Sequence, residues 1–100
     1  MWTILTTDVF DTWFAKLRDK RGKARIEARV RRLELGHFGD VKPIGEGVSE
    51  LRIHAGPGYR IYFTQIEMEV FVLLAGGDKD TQKRDINLAL ELSRRLREAT

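Results

Sequence analysis

Two stretches of the sequence could place basic and titratable side chains on one surface. In residues 49–55 and 59–65, apolar and polar positions alternate, which is typical of β-strands with one buried face. If these strands pair as a hairpin, their polar faces coincide, because side chains alternate with period two. The polar positions brought together in this way are Arg52, His54, Arg60, Tyr62 and, from a following loop, Lys79.

This set of side chains suits the cleavage of RNA through a neighbouring 2′-hydroxyl. The reaction needs a base for that hydroxyl, cations for the charge on the phosphorane, and an acid for the departing 5′-oxygen. Arginine and lysine supply the positive charge, histidine exchanges protons near neutral pH, and Tyr62 is a second candidate proton donor. The alternative interpretation is an outer sheet face whose polar residues only contact water.

Positive charge is concentrated in the first third of the chain. Residues 16–32 contain nine basic and two acidic side chains, a segment charge of +7, although the whole protein carries only +3. Such a block indicates contact with a polyanion such as RNA or DNA, or else a solvated helical face. The candidate nucleic-acid-binding residues here and elsewhere in the chain are Lys20, Arg21, Lys23, Arg25, Arg29, Lys42 and Lys83.

Composition excludes several other classes. With 100 residues, 42% of them hydrophobic, the chain is expected to form a single domain over residues 1–100. The absence of cysteine excludes disulfide scaffolds, zinc knuckles and thiol nucleophiles, and we predict neither a metal nor a cofactor. No long apolar run and no signal peptide are evident, so we expect a cytoplasmic protein that does not contact membranes.

The elements that must position these residues can be read in order. A short strand over residues 2–6 is followed by a helix that begins at Thr7 or Asp8. A break at residues 21–22 separates it from a second helix over residues 23–35, which ends at Gly36. Residues 37–50 are rich in glycine and predict a loop or a short irregular strand.

The second half of the chain is predicted to be mostly sheet. The two alternating strands are followed by a nearly continuous apolar strand over residues 68–75 and by a last helix that reaches about Leu96. The order β-α-α-β-β-β-α predicts an α+β domain with a mainly antiparallel four-stranded sheet. An antiparallel helical hairpin would cover one face and leave the other open. The wide apolar arc of the last helix is typical of core, and any remainder would serve a partner protein or a dimer.

Several motifs together resemble a known family. The chain is similar to the RelE/ParE superfamily of bacterial toxins from type II toxin–antitoxin systems, and closest to HigB-like, phage-derived addiction-module killer proteins. The segments that carry the resemblance are residues 10–17, 23–26, 36–42, 47–53, 56–63 and 73–82.

The resemblance implies a RelE-like fold and ribosome-dependent cleavage of mRNA. It also implies inhibition by a cognate antitoxin, often a helix-turn-helix protein. The expected assembly is either a toxin–antitoxin hetero-oligomer or a homodimer. The family's Glu-Leu-Arg-Ile motif supplies Arg52, its Tyr-Arg-x-Tyr motif supplies Arg60, and its Gly-x-Lys-x-Thr-Gln-like loop supplies Lys79, with Lys83 just beyond. Some relatives carry a catalytic tyrosine or histidine near the C-terminus, whereas here neither residue type follows Tyr62. The acid and base must then be His54, Tyr62 or lysines, or come from the ribosome.

Two other functions are compatible with the same sequence. A ParE-like inhibitor of DNA gyrase needs a binding surface and no proton-transfer group. An inactive relative would only bind an antitoxin or RNA. The alternating arginine-bearing strands and the loop at residues 76–82 favour the nuclease.

Overall fold

The computed structural model describes residues 1–99 and builds them around a five-stranded mixed sheet. The sheet order is β1-β5-β4-β3-β2, with β1 parallel to β5 and every other pair antiparallel. The α+β class and the mainly antiparallel sheet are therefore as predicted. In chain order the elements are β1 (Thr3–Thr6), α1 (Asp8–Lys16), α2 (Lys20–Glu34), β2 (Val41–Gly45), β3 (Val48–Ile53), β4 (Tyr59–Glu67), β5 (Val70–Gly77), a 3₁₀ turn (Lys79–Thr81) and α3 (Gln82–Ala99).

The fifth strand is β2, which lies in the segment that was predicted to be a loop or a short irregular strand. It pairs with β3 and is joined to it through Glu46 and Gly47, both of which have positive φ. Positive φ at both central residues defines the tight turn that matches the twist of a hairpin. Pro43 is tolerated because β2 is the outermost strand, where one side of the backbone needs no partner.

Helix α2 begins earlier than predicted, because the break between the helices falls at residues 17–19 and not at Gly22. The Asp19 side chain caps the helix by accepting a hydrogen bond from the backbone N–H of Gly22 at 3.0 Å. Gly22 itself lies inside α2, where a Cβ would stand 2.5 Å from the Tyr59 ring. A glycine that looks like a helix breaker is thus a point of close approach between α2 and the sheet.

The end of α2 follows the prediction. Gly36 has φ +84°, and its N–H donates to the carbonyl of Leu33 while the N–H of His37 donates to the carbonyl of Arg32. These two bonds form a Schellman motif, for which glycine is the favoured residue. The cap directs the chain away from the helix and toward β2.

Both faces of the sheet are covered, so the expectation of an open second face is wrong. Helices α1 and α2 pack on one face over a core that includes Leu51, Ile61 and Leu73. Helix α3 packs on the other face, where its apolar side chains are buried against Tyr62 and Leu74 of the sheet. The cover is incomplete, because Arg52 and Arg60 at one end of this face remain partly exposed to solvent. None of the helices within residues 1–99 has the length and apolar character needed to cross a bilayer.

Candidate active site

Arg52 and Arg60 lie side by side on the face of the sheet that α3 covers in part. They are directly opposite each other in the register of β3 and β4, so their side chains project from the same face. The Arg52 side chain is 30% exposed and the Arg60 side chain 14% exposed. Two like charges at opposite positions of a strand pair repel each other, so this arrangement needs a compensating anion.

Glu50 is that anion. One carboxylate oxygen, Oε1, accepts a hydrogen bond from Nε of Arg52 at 2.8 Å, and the other, Oε2, lies 3.7 Å from Nε of Arg60. Oε2 also accepts hydrogen bonds from the hydroxyl of Tyr62 at 3.1 Å and from Nε2 of Gln82 at 2.9 Å. The carboxylate is 1% exposed, so it contacts the two guanidinium groups from the buried side of the cluster.

The ionised state of Glu50 is stabilised although the group is buried. Burial by itself raises the pKa of a carboxyl group, but the hydrogen bonds from Arg52, Gln82 and Tyr62 outweigh it and hold the pKa of Glu50 below its usual value. Sequence reasoning did not assign Glu50 to the site. The available signal was its place two residues before Arg52, which puts both on one face of a strand.

Arg60 keeps part of its hydrogen-bonding capacity unused. Its Nη1 donates to the carbonyl of Gly58 at 2.8 Å, while the buried Nε has no hydrogen-bond partner. Nη2 makes no hydrogen bond within residues 1–99. A guanidinium group that is charged, held in place and incompletely bonded is suited to donate hydrogen bonds to a phosphate oxygen.

Tyr62 lies deeper than its place on a polar strand face indicated. The residue is fully buried beneath α3, and its hydroxyl donates to Glu50. Burial, followed by the negative charge of Glu50, raises the pKa of Tyr62 well above its usual value. The structure thus places this predicted catalytic residue behind the two arginines.

Lys79 lies near Arg60, with Gly58 between them. Its backbone N–H points to the carbonyl of Pro57 at 3.4 Å, which holds the loop after β5 against the turn between β3 and β4. A Cβ at Gly58 would stand 3.4 Å from Nη1 of Arg60 and 3.6 Å from Cβ of Lys79. Because Lys79 is exposed, its ammonium group is free to face a ligand next to Arg60.

A second carboxylate fixes the loop that carries Lys79. The buried Asp85 accepts a hydrogen bond from the hydroxyl of Thr81 at 2.5 Å, and the Asp78 side chain caps the 3₁₀ turn. Asp85 lies so close to Gly77 that no Cβ could be accommodated there. Neither Thr81 nor Asp85 was identified from the sequence.

His54 lies at the edge of the cluster. It follows the last residue of β3, its side chain is 76% exposed, and its Nε2 is 2.5 Å from a carboxylate oxygen of Asp40. Asp40 acts electrostatically on both His54 and Arg52, which places the three groups close together. His54 is an exposed proton-transfer candidate, in contrast to the buried Tyr62.

The predicted nucleic-acid-binding residues do not form one surface. Lys20, Arg21 and Arg25 are exposed on α2, on the opposite side of the sheet from α3. Lys23 lies over the ring of Phe14, at 4.9 Å from its centroid. Of the remaining predicted positions, Lys42 is exposed on β2, Lys83 is exposed in the first turn of α3, and Arg29 is partly buried on α2.

Arg29 makes internal contacts. Its guanidinium group donates to the carbonyl of Arg52 and, at 3.1 Å, to the carbonyl of Phe38. It therefore ties α2 to the end of β3 and to the loop before β2. Burial lowers the pKa of Arg29 from its usual value, but the pKa of a free guanidinium is so high that the group stays charged.

Comparisons with known proteins agree with this fold. Residues 12–94 match the family model for "Phage derived protein Gp49-like (DUF891)". An uncharacterized protein of Haemophilus influenzae is 47% identical over 93 residues, which are 93% of this chain and 94% of the relative. The crystal structure of the intact E. coli RelBE toxin–antitoxin complex matches with a TM-score of 0.64 at 16% identity, over 78% of this chain and 96% of that chain. The RelE-like fold is thereby confirmed, and the protein belongs to the phage-derived Gp49-like family.

Proposed function

We propose that this protein is the toxin of a type II toxin–antitoxin system and that it cleaves mRNA on the ribosome. One observation carries the proposal. Arg52 and Arg60 form an opposed pair on one sheet face, fixed by the buried carboxylate of Glu50, with Lys79 beside them. The N–H donors of Arg60 that make no internal hydrogen bond, with the ammonium group of Lys79 nearby, can bind the oxygens of a phosphodiester.

In the proposed reaction, the 2′-oxygen attacks the adjacent phosphorus as the bond to the 5′-oxygen breaks. The products are a 2′,3′-cyclic phosphate and a 5′-hydroxyl. Arg52 and Arg60 stabilise the charge that develops on the phosphoryl oxygens, and because their guanidinium groups are already held by Glu50 they need little reorganisation. Removing a comparable preorganised donor from other enzymes costs about 10²–10³ in rate.

Two exposed groups are available for the proton transfers. His54 accepts the proton of the attacking 2′-hydroxyl, and the Lys79 ammonium group donates a proton to the departing 5′-oxygen. Tyr62 is assigned a positioning role, because its hydroxyl is buried and bonded to Glu50. This assignment uses only side chains at the exposed edge of the cluster.

The exposed basic face of α2 is assigned to ribosomal RNA. Lys20, Arg21 and Arg25 lie within a segment of charge +7 and leave the opposite side of the sheet for the message. The structure that shares this fold is a toxin–antitoxin complex. We therefore expect an antitoxin partner for this chain as well. It would inhibit by covering either the site at Arg52 and Arg60 or the exposed basic face of α2.

Primer extension on mRNA from cells that express the protein tests the proposal, with and without an inhibitor of translation. Discrete cuts that disappear when translation stops are expected, and Arg60→Ala should abolish them. The matched control is Arg95→Ala, which removes an exposed arginine from α3. Intact message together with DNA damage would instead identify a gyrase inhibitor, and growth without arrest would identify an inactive relative.

A further inference from the structure

We propose that Asp40 is a positioning residue that orients His54 for proton transfer, so that the two act as a carboxylate–imidazole pair. This inference rests on the proposed function. It concerns a residue in the loop before β2 that lies outside the motifs assigned to catalysis. The observation behind it is the contact between Nε2 of His54 and Oδ2 of Asp40 at 2.5 Å.

The backbone holds Asp40 where it can reach the imidazole. The carbonyl of Asp40 accepts a hydrogen bond from the N–H of Arg52 at 2.9 Å, which extends the pairing of β2 and β3 by one position. His54 lies two residues beyond Arg52, directly after the end of β3. The loop and the end of β3 are therefore registered against each other independently of the side-chain contact.

Arg29 fixes the same loop from the other side. It donates to the carbonyls of Phe38 and Arg52, and its guanidinium group packs against Gly39, where a Cβ would stand 2.7 Å from Nη2. Gly39 has φ +67°, a conformation that glycine adopts without strain. A partly buried contact of α2 thus supports the loop that presents Asp40, although Asp40 and His54 are themselves exposed.

The pairing assigns different roles to the two imidazole nitrogens. When His54 is neutral, an Nε2–H that donates to Asp40 leaves Nδ1 as the acceptor, and Nδ1 has no hydrogen-bond partner within residues 1–99. When Nδ1 takes the proton of the 2′-hydroxyl, the carboxylate stabilises the resulting imidazolium. The hydrogen bond with His54 in turn lowers the pKa of Asp40, so the carboxylate is ionised at neutral pH.

The charged groups around the pair are few. Besides His54, the carboxylate of Asp40 is influenced by Arg52 and Arg29, both of which favour its ionised form. The pair therefore adjoins Arg52, whereas Lys79 lies near Arg60. In the proposed reaction His54 and Lys79 are assigned to the attacking and the departing oxygen of one phosphate.

The test combines a double-mutant cycle with a spectroscopic readout on the full chain. Single-turnover cleavage of a programmed ribosome is measured for Asp40→Ala, His54→Gln and the double variant. His54→Gln is expected to lose about 100-fold in rate, the lower end of the range of general acid–base catalysis, and Asp40→Ala about 10-fold, because it leaves the imidazole in place. The double variant should be no slower than His54→Gln, because Asp40 acts through His54. Glu91→Gln, which removes an exposed carboxylate paired with Arg95, is the matched control and should cleave at the wild-type rate.

The ¹⁵N shifts of the His54 ring provide the readout that a merely structural role would not move. At a pH where the ring is neutral, the wild type should show the Nε2–H tautomer, and Asp40→Ala should shift the ring toward a mixture. Additive losses in the cycle, or a tautomer that Asp40→Ala leaves unchanged, would overturn the inference. A failure of Arg60→Ala to slow cleavage would instead refute the proposed function, so the two failures are distinguishable.

Discussion

Replacing Glu50 by glutamine tests the electrostatic organisation of the site. The change keeps the shape of the side chain and removes the negative charge that Arg52 and Arg60 share. Removing one partner from a buried ion pair costs about 3–5 kcal/mol, and the partial exposure of both arginines favours the lower end. One kcal/mol shifts the melting temperature of a domain of this size by about 4–8 °C, so a loss of about 3 kcal/mol in Glu50→Gln should lower it by roughly 12–24 °C.

The pH dependence of that loss follows from the depressed pKa of Glu50. A carboxyl group whose pKa is lower in the folded than in the unfolded state stabilises the fold above its unfolded pKa, here 4.5, and the stabilisation is lost as the pH falls through the folded value. The difference in melting temperature between wild type and Glu50→Gln should therefore be complete at pH 7 and shrink below about pH 4.5.

Thermal unfolding followed by circular dichroism between pH 7 and pH 3 measures this difference. The matched control is Glu46→Gln, which removes an exposed carboxylate paired with Arg94 and should melt close to the wild type at pH 7. The reasoning is refuted if Glu50→Gln melts within about 2 °C of the wild type at pH 7, a shift below 1 kcal/mol. It is also refuted if the difference grows on acidification.

Three further outcomes are expected. Gly22→Ala should destabilise the protein by about 1–3 kcal/mol in urea unfolding, because the new methyl group meets the Tyr59 ring, although the same change in an exposed helix is stabilising. Tyr62→Phe should lower the free energy of unfolding by about 1.5–3 kcal/mol, since it removes a buried hydrogen bond to a carboxylate; an unchanged urea midpoint would contradict that bond. The double variant Arg21→Gln, Arg25→Gln should bind ribosomes more weakly, as measured by co-sedimentation. The slope of log affinity against log salt concentration should fall in magnitude by about 2, because each arginine is expected to contact one phosphate.

Much of the site could be predicted because it depends on local periodicity. Strict alternation in residues 49–55 and 59–65 determined which side chains share a face, and the short turn at residues 56–58 required the two strands to pair. The placement of Arg52 and Arg60 on one face follows from these two facts. Their direct opposition does not, because the predicted turn would pair residue 52 with residue 62, whereas the loop between β3 and β4 spans residues 54–58 and pairs Arg52 with Arg60. Likewise, a glycine directly after the predicted helix was enough to predict that α2 ends with Gly36 at the C′ position.

The remaining features depend on tertiary contacts that periodicity does not encode. Helix α3 covers the polar face, which buries Glu50 and Tyr62 and converts a row of surface residues into a bonded network. Gly22 resembles a breaker until Tyr59 is placed against it, and Pro43 resembles a loop residue until β2 is placed at the sheet edge. In each case a neighbour distant in sequence decides what the residue does.

Cleavage of a defined mRNA on purified ribosomes, at saturating protein and in a single turnover, tests most directly whether the paired arginines form an active site. Wild type should produce a 2′,3′-cyclic phosphate end, and Arg60→Ala should be slower by about 10²–10³ while it binds the ribosome equally well. Arg95→Ala, which removes an exposed arginine from α3, should match the wild type. Cleavage by Arg60→Ala at the wild-type rate, or no cleavage by any variant, would contradict the assignment of Arg60 to the scissile phosphate.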